Sequence, residues 1–153
     1  MKEMVLGFYF NKGTVVLVKK DPEDPKMAWM KGKLNGTGGK VNPGEDPAEA
    51  MVREHREECG IETDVLDWTP FARMQSEAEG WVVYCYEARG DKTPSMTPAQ
   101  VREPANMYIT SEVKSNRTDI VENLAWLIAL ALDRNPRKQE VTINYSEPIV
   151  AIN

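Results

Sequence analysis

The sequence predicts an α/β fold in a single domain spanning residues 1–153. Short β-rich segments are interleaved with two helical segments, one of them late in the chain, and this order favours layered helices and strands. A hydrophobic content of 41% in 153 residues is sufficient for one buried core. No repeat, low-complexity run or long linker divides the sequence.

The first elements are a hairpin and a long loop. Residues 5–10 and 14–18 are rich in β-formers and flank Asn11-Lys12-Gly13, which predicts two antiparallel strands. Prolines, glycines and lysines predict a long loop over residues 21–37. The glycines of residues 38–41 predict a tight segment after it.

A helix is then predicted from Pro47 to about Cys59. Asp46 is the expected N-cap, with proline at the first helical position and Glu49 at the capping-box position. Gly60 supplies the C-terminal stop.

The second half of the chain carries weaker signals. In order, they predict strands at 63–72 and 81–88, a loop at 90–104, a short strand at 107–109 and a helix at 118–133. In that helix Trp126 is expected to pack in the core. The tail at 140–153 either adds a short strand or stays loose.

The charge balance constrains the ligand. Lysine and arginine number 19 and aspartate and glutamate 24, a net charge of −5, which counts against a nucleic-acid polymer as partner. An anionic ligand would need another source of attraction, and a divalent cation is the obvious one. The single histidine, His55, excludes a multi-histidine zinc site.

Cysteine usage and hydropathy predict a cytoplasmic protein. Cys59 and Cys85 are too few for a disulfide framework, which favours a reducing compartment. The first residues lack the pattern of a signal peptide. The longest apolar-rich stretch, residues 124–132, is about half a membrane span, so no membrane partner is expected.

Three glutamates of the first predicted helix share one face. At about 100° per residue, Glu54, Glu57 and Glu58 fall within an arc of about 100°. A solvated acidic face is one explanation. The other is a divalent cation that offsets the repulsion, with Gly38 and Gly39 bringing backbone close to the same place.

The spacing around this helix resembles the Nudix box, G-x5-E-x7-R-E-U-x-E-E-x-G-U, in which U is a bulky apolar residue. All seven fixed positions match, and Ile61 occupies the last U. The matching residues are Gly39, Glu45, Arg53, Glu54, Glu57, Glu58 and Gly60. His55 departs from the pattern at the first U, and we expect it to be a packed, hydrogen-bonded histidine.

The resemblance implies a fold and a chemistry. Nudix domains are α/β/α sandwiches with a mixed central sheet, and the box forms a loop–helix–loop. They hydrolyse a diphosphate linked to another moiety, usually a nucleoside, with Mg²⁺ or Mn²⁺ as cofactor. The implied metal ligands are Glu54, Glu57, Glu58 and the Gly38 carbonyl, whereas Glu45 and Arg53 are implied to pair structurally. Glu57 is our first choice for the general base, with Glu54 beside it.

Residues around the box resemble the MutT-like subgroup, which removes oxidised purine nucleoside triphosphates and so cleans the nucleotide pool. Asn35 lies in a segment similar to the subgroup's WNGFGGKV, where this position binds the base, although it equally suits a turn before glycine. Leu34 replaces the tryptophan of that segment. Gly39 and Lys40 are candidate phosphate-binding residues.

Three further residues are assigned by the same resemblance. Glu103 matches an additional metal-binding or catalytic carboxylate, the alternative being a loop glutamate with Arg102 as its surface partner. Glu122 and Asn123 lie where the subgroup recognises a purine, as does Asp119, which equally suits a helix start. Trp29 and Trp81 are open candidates for stacking on a base.

The leading hypothesis is therefore a Mg²⁺-dependent hydrolase that converts a purine or oxidised-purine nucleoside triphosphate to monophosphate and pyrophosphate. A Nudix hydrolase of ADP-ribose, a nucleotide sugar or a dinucleoside polyphosphate is the second. A non-catalytic nucleotide sensor is the third, although such domains typically lose the glutamates that this chain keeps. The sequence leaves the oligomeric state open.

Overall fold

One mixed sheet, covered by a helix on each face, organises the molecule. The computed structural model describes residues 1–95 and 102–145, and within them the sheet has eight strands. The strands are β1 (Lys2–Asn11), β2 (Thr14–Lys19), β3 (Leu34–Asn35), β4 (Thr37–Lys40), β5 (Thr69–Ser76), β6 (Trp81–Arg89), β7 (Ala105–Ile109) and β8 (Val141–Asn144). The helices are α1 (Pro47–Cys59), α2 (Thr110–Ser115) and α3 (Leu124–Leu132).

The central strand is β1. The sheet order is β3-β2-β1-β6-β5-β8, and β4 and β7 pair with β1 and β2 respectively. β1 runs parallel to β6 and antiparallel to β2 and β4, while β8 is parallel to β5. The predicted hairpin is confirmed. Of the two alternatives for the tail, a short strand or a loose segment, the strand is observed in β8.

The two faces of the sheet bury separate apolar layers. α3 covers one face, where Leu124, Leu127 and Ile128 pack against β-strand residues such as Phe8 and Phe71. α1 covers the other, where Met51 and Cys59 belong to the second layer. Alternating side chains along each strand supply both layers, which produces the predicted α/β/α arrangement.

α1 begins and ends where the sequence predicts. The Asp46 side chain accepts a hydrogen bond from the amide of Ala48, and Glu49 closes the capping box. Gly60 ends the helix with φ of 75°, a left-handed conformation that favours glycine. These local contacts fix which face of α1 meets β4.

The segment between the hairpin and α1 is more regular than predicted. Residues 21–37 are not one loop: Pro25–Met30 forms a 3-10 helix, begun by Asp24 accepting from the Lys26 amide, and β3 follows. The tight glycine segment is instead a strand, β4, because Gly38 and Gly39 align with Leu6 and Val5 of β1.

Two boundaries in the second half were wrong. The strand predicted at 63–72 starts only at Thr69, since Val65–Asp67 forms a 3-10 turn in which Asp67 accepts from the Asp64 amide. The helix predicted at 118–133 begins at Leu124, and α2 was missed. Ile120 instead forms an isolated parallel bridge with Leu34, so the chain is not helical at this point.

Parts of two predicted segments, residues 96–101 of the loop and 146–153 of the tail, lie outside the described residues. In the portions that are described, no helix has the length and apolarity to cross a membrane.

Candidate functional site

Gly39 of β4 lies directly against Glu54 of α1. A Cβ atom at Gly39 would be 2.5 Å from Cδ of Glu54 and 2.6 and 2.7 Å from its two oxygens. Only a residue without a side chain leaves room for the carboxylate here. The side chain of Glu54 is 16% exposed, and burial raises its pKa despite the neighbouring Arg53.

Glu58, one helical turn further along, is the most strongly perturbed carboxylate of the site. Its Oε1 accepts a hydrogen bond from the Gly38 amide at 3.3 Å, while Oε2 is buried and has no hydrogen-bond partner among the described residues. Burial raises its pKa to about 8, and the charges of Glu54 and Glu103 add to the effect. An unpaired buried carboxylate oxygen is costly, and a cation is the partner that would satisfy it.

Glu103, in the loop before β7, lies close enough to Glu58 to affect its pKa. It accepts from Nζ of Lys20 at 3.1 Å and from the backbone amide of Asp21. Arg102, the surface partner in the alternative interpretation of Glu103, pairs with Asp21 and Glu23 instead. Lys20 also lowers the pKa of Glu58, so one ammonium stands between two carboxylates.

Arg53 links α1 to the loop that precedes it through several hydrogen bonds. Its Nε and Nη2 donate to the two oxygens of Glu45 at 2.8 and 2.9 Å, and Nη2 also donates to the Lys40 carbonyl at 2.9 Å. Its Nη1 donates to Glu54 at 2.8 Å and to Glu57 at 3.4 Å. The guanidinium holds the pKa of Glu45 down to about 2. The loop before α1 is thereby fastened to the helix.

The glutamates do not form a closed group of preformed metal ligands in the described part of the chain. Among the described residues, no three histidine, cysteine, aspartate or glutamate side chains are grouped closely enough to hold a metal. Glu57 is 53% exposed, and Arg53 bonds to Glu54. Mg²⁺ keeps several waters and takes few protein carboxylates together with substrate phosphates, so it does not require a closed group of protein ligands. The orphaned oxygen of Glu58 and the Gly39 cradle for Glu54 fit such an ion.

The residues expected to recognise a base come partly together. Leu34 donates its amide to the Asp119 carbonyl and accepts from the Val121 amide, which places Asn35 next to the segment that leads into α3. The Asn35 side chain accepts from the amide of the next residue, Gly36, at 2.9 Å, and Asn35 lies in β3 rather than in the turn of the alternative interpretation. Asp119 is exposed and paired with Arg117.

Asn123 contacts a residue that sequence reasoning missed. Its amide lies 3.4 Å from Sδ of Met74 on β5, and the Tyr145 hydroxyl lies 3.8 Å from the same sulfur. The rings of Tyr145 and Trp81 are 5.4 Å apart. Contacts that join β5 to residues 49 and 71 positions away leave no local signal in the sequence.

The remaining predicted residues are on the surface. Glu122 and the side chain of Lys40 are exposed. Trp29 is 56% exposed, with Nζ of Lys33 5.7 Å from its ring centroid. The prediction for Trp126 was wrong: it is 40% exposed on the outer side of α3, because Leu127 and Ile128 are the residues that this helix turns inward.

His55, by contrast, is fully buried and hydrogen-bonded to Thr37, which confirms the expected packed histidine.

Comparison with known proteins gives a consistent result. The model of the NUDIX domain matches residues 4–128. A "Nudix hydrolase" from Deinococcus radiodurans is 39% identical over 67 residues, which are 42% of this chain and 39% of that protein. The "CTP pyrophosphohydrolase" of Escherichia coli K12 is 33% identical over 86 residues, 56% of this chain and 59% of that protein. Each match therefore spans less than two thirds of the relative.

Solved structures show the same fold. A mutator MutT protein from Bacillus halodurans superposes with a TM-score of 0.68 at 19% identity, covering 95% of this chain and 91% of that one. An ADP-ribose pyrophosphatase from Streptococcus suis also gives 0.68, at 13% identity, covering 92% and 98%. At these identities the likeness establishes the fold, and it confirms the sandwich with a mixed sheet.

Proposed function

Since this chain belongs to the Nudix family, we propose that it is a Mg²⁺-dependent pyrophosphohydrolase that cleaves a purine or oxidised-purine nucleoside triphosphate to nucleoside monophosphate and pyrophosphate. The observation that carries this proposal is Oε2 of Glu58, a buried carboxylate oxygen beside the Gly38-Gly39 strand that has no hydrogen-bond partner in residues 1–95 and 102–145. A buried acidic site with an unpaired carboxylate oxygen favours binding of a cation, and the bound cation would in turn attract a polyphosphate.

Five groups of this chain are the proposed metal ligands. Glu54, Glu58 and the Gly38 carbonyl are the groups that would hold Mg²⁺ or Mn²⁺, with Glu103 and Glu57 completing the set as substrate enters. The ion supplies charge neutralisation of the phosphates, polarisation of the P–O bond and activation of water. Lys20, which already lies among these carboxylates, is positioned to balance the negative charge of the phosphates.

Glu57 is the proposed general base. It is the most exposed of the three helix glutamates, so its carboxylate has access to water that the buried Glu58 lacks. It takes a proton as water forms the new P–O bond, and the bridging P–O bond breaks to release pyrophosphate and monophosphate. Arg53, bonded to Glu54 and to Glu57, keeps both carboxylates on the same side of α1.

The purine preference rests on two side-chain amides. Asn35 and Asn123 each carry donor and acceptor atoms that match a base edge. Residues 119–121 run beside Leu34, which brings the two asparagines to neighbouring segments. Met74 adds apolar surface against Asn123, and its sulfur also contacts Tyr145, whose ring packs on Trp81. Gly39 and Lys40, on the strand next to Glu54, are the proposed phosphate-side contacts.

A product-resolved hydrolysis screen tests the proposal. The protein is incubated with Mg²⁺ and ordinary nucleoside triphosphates including CTP, 8-oxo-dGTP, ADP-ribose, nucleotide sugars and dinucleoside polyphosphates, and products are separated by chromatography. Monophosphate and pyrophosphate, formed fastest from one purine triphosphate, are expected. A preference for CTP refutes the assigned base, and turnover of conjugates alone refutes the substrate class.

Glu57→Gln supplies the matched test of the site. The variant is expected to keep the wild-type melting temperature and lose nearly all turnover, because glutamine cannot take the proton. Glu62→Gln, which neutralises an exposed glutamate just beyond α1, is the control and is expected to keep full activity. Equal rates for the wild type and Glu57→Gln refute the assignment of the base.

A further inference from the structure

We infer that His55 is a positioning residue of the metal site, acting through Thr37 to hold the Gly38-Gly39 segment of β4 against Glu54 and Glu58. The inference rests on the proposed function, since it concerns the same site. It assigns a role to the one position at which this chain departs from the Nudix pattern by placing a polar side chain where an apolar one is usual.

His55 makes hydrogen bonds at both ring nitrogens. Nδ1 lies 2.8 Å from Oγ1 of Thr37, and Nε2 lies 3.4 Å from Sγ of Cys59. The Cys59 thiol donates to the His55 carbonyl at 3.0 Å. Oγ1 of Thr37 also lies 3.4 Å from the Gly7 carbonyl of β1. In one tautomer Nδ1–H donates to Oγ1 and the hydroxyl donates to Gly7; in the other the hydroxyl donates to Nδ1 and Nε2–H donates to the sulfur.

The ring of His55 is held on two sides by aromatic neighbours. The ring stacks on Tyr9 with centroids 5.3 Å apart and meets Trp68 edge-on at 5.0 Å. Two aromatic neighbours fix the ring plane, and with it the direction from Nδ1 to Thr37.

Thr37 passes this restraint to the metal site. It directly precedes Gly38, whose amide donates to Glu58, and lies two residues before Gly39, whose missing side chain accommodates Glu54. His55 lies between these two glutamates on α1. The hydrogen bond therefore joins the strand to the helix at the level of the candidate ligands. An apolar residue at this position would fill the space without making that connection.

A double-mutant cycle tests the inference with a readout that needs no substrate. Mn²⁺ alone is titrated into the full chain, and the dissociation constant is measured by electron paramagnetic resonance for the wild type, His55→Leu, Thr37→Val and the double variant. Loss of one neutral hydrogen bond predicts about fivefold weaker Mn²⁺ binding in each single variant. The double variant is also expected to bind about fivefold more weakly, rather than about 25-fold, because both changes remove the same bond.

Two further variants separate positioning from general packing. His55→Asn places a side-chain amide close to the position of Nδ1, where its N–H can donate to Thr37 or its oxygen can accept from Thr37. It is therefore expected to recover Mn²⁺ affinity even though it packs less well. Thr110→Val alters a buried threonine at the start of α2 and is expected to leave Mn²⁺ affinity unchanged. Amide hydrogen exchange without metal should accelerate over residues 37–40 in His55→Leu beyond the change in global stability.

The outcomes separate this inference from the proposed function. Variants that melt earlier yet bind Mn²⁺ as the wild type does overturn the positioning role, as do losses that multiply in the double variant. A wild type that binds Mn²⁺ and hydrolyses no nucleotide refutes the proposed function while the cycle still decides the role of His55. A wild type without Mn²⁺ affinity overturns both.

Discussion

Gly39→Ala probes the close contact between Gly39 of β4 and the Glu54 side chain of α1. The new Cβ would lie 2.5 Å from Cδ of Glu54, whereas non-bonded carbon atoms settle at about 3.5 Å. The carboxylate must therefore retreat by about 1 Å. Because it is the far end of a flexible side chain, it can rotate away while the backbone stays in place.

The effect should fall on catalysis and spare stability. A displacement of about 1 Å in a positioned group costs on the order of 100-fold in rate. The φ of Gly39 is not positive, so alanine fits the backbone and restricts the unfolded chain, which stabilises by about 0.4–1 kcal/mol. This gain offsets much of what is lost when Glu54 leaves Arg53. We expect turnover to fall about 100-fold and the unfolding free energy to change by less than about 1 kcal/mol.

The assay compares three glycine variants by initial hydrolysis rate and by thermal unfolding. Gly13→Ala has no atom within 4 Å of the new Cβ and is expected to match the wild type in both. Gly38→Ala would collide with the backbone carbonyl of Val5, which cannot move aside, and is expected to unfold the chain. Wild-type turnover in Gly39→Ala would refute the claim that the site requires Glu54 in its present position.

Three further changes test other contacts. Arg53→Met should lower the unfolding free energy by about 1.5–3 kcal/mol in urea titrations. Because the folded pKa of Glu45 is about 2 against an ordinary 4.5, its pairing stabilises fully above pH 4.5 and is lost as the pH falls towards 2, so the variant should show a flatter stability curve over that window. Glu103→Gln, which removes the charge that pairs with Lys20, should raise the Mg²⁺ concentration for half-maximal rate about tenfold, and an unchanged Mg²⁺ titration would remove Glu103 from the metal site. Asn123→Ala should raise KM for the preferred purine triphosphate about tenfold with kcat nearly unchanged, and equal effects on all bases would show that Asn123 does not read the base.

The sequence predicted what local interactions decide. α1, predicted from Pro47 to about Cys59, was placed correctly because its start and stop signals, Asp46 and Gly60, directly flank it in the sequence. The regular turn of that helix also put Glu54 and Glu58 on one face. Its acidic face, the most informative feature of the sequence, therefore needed no tertiary information.

What the sequence missed depends on contacts between distant segments. Ile120 has helix-compatible neighbours, yet it pairs with Leu34, and this long-range bridge delays α3 until Leu124. Lys20 and Glu103 are separated by 83 positions, so no spacing in the sequence indicates their ion pair. The histidine at the apolar position of the box was visible, but its hydrogen bond to Thr37 depends on how β4 aligns with β1.

Because β1 pairs in parallel with β6, the centre of the sheet is completed only late in synthesis. The pairs run from Lys2 opposite Trp81 to Phe10 opposite Arg89, so the first strand is synthesised roughly 80 residues before its central neighbour. At about 5–20 residues per second, a ribosome takes about 4–16 s to close that gap. α1 emerges during the interval, after β1 and β4, against which it packs, but before β6. The acidic helix is therefore synthesised well before the sheet that it needs is complete, and high contact order is built into the molecule.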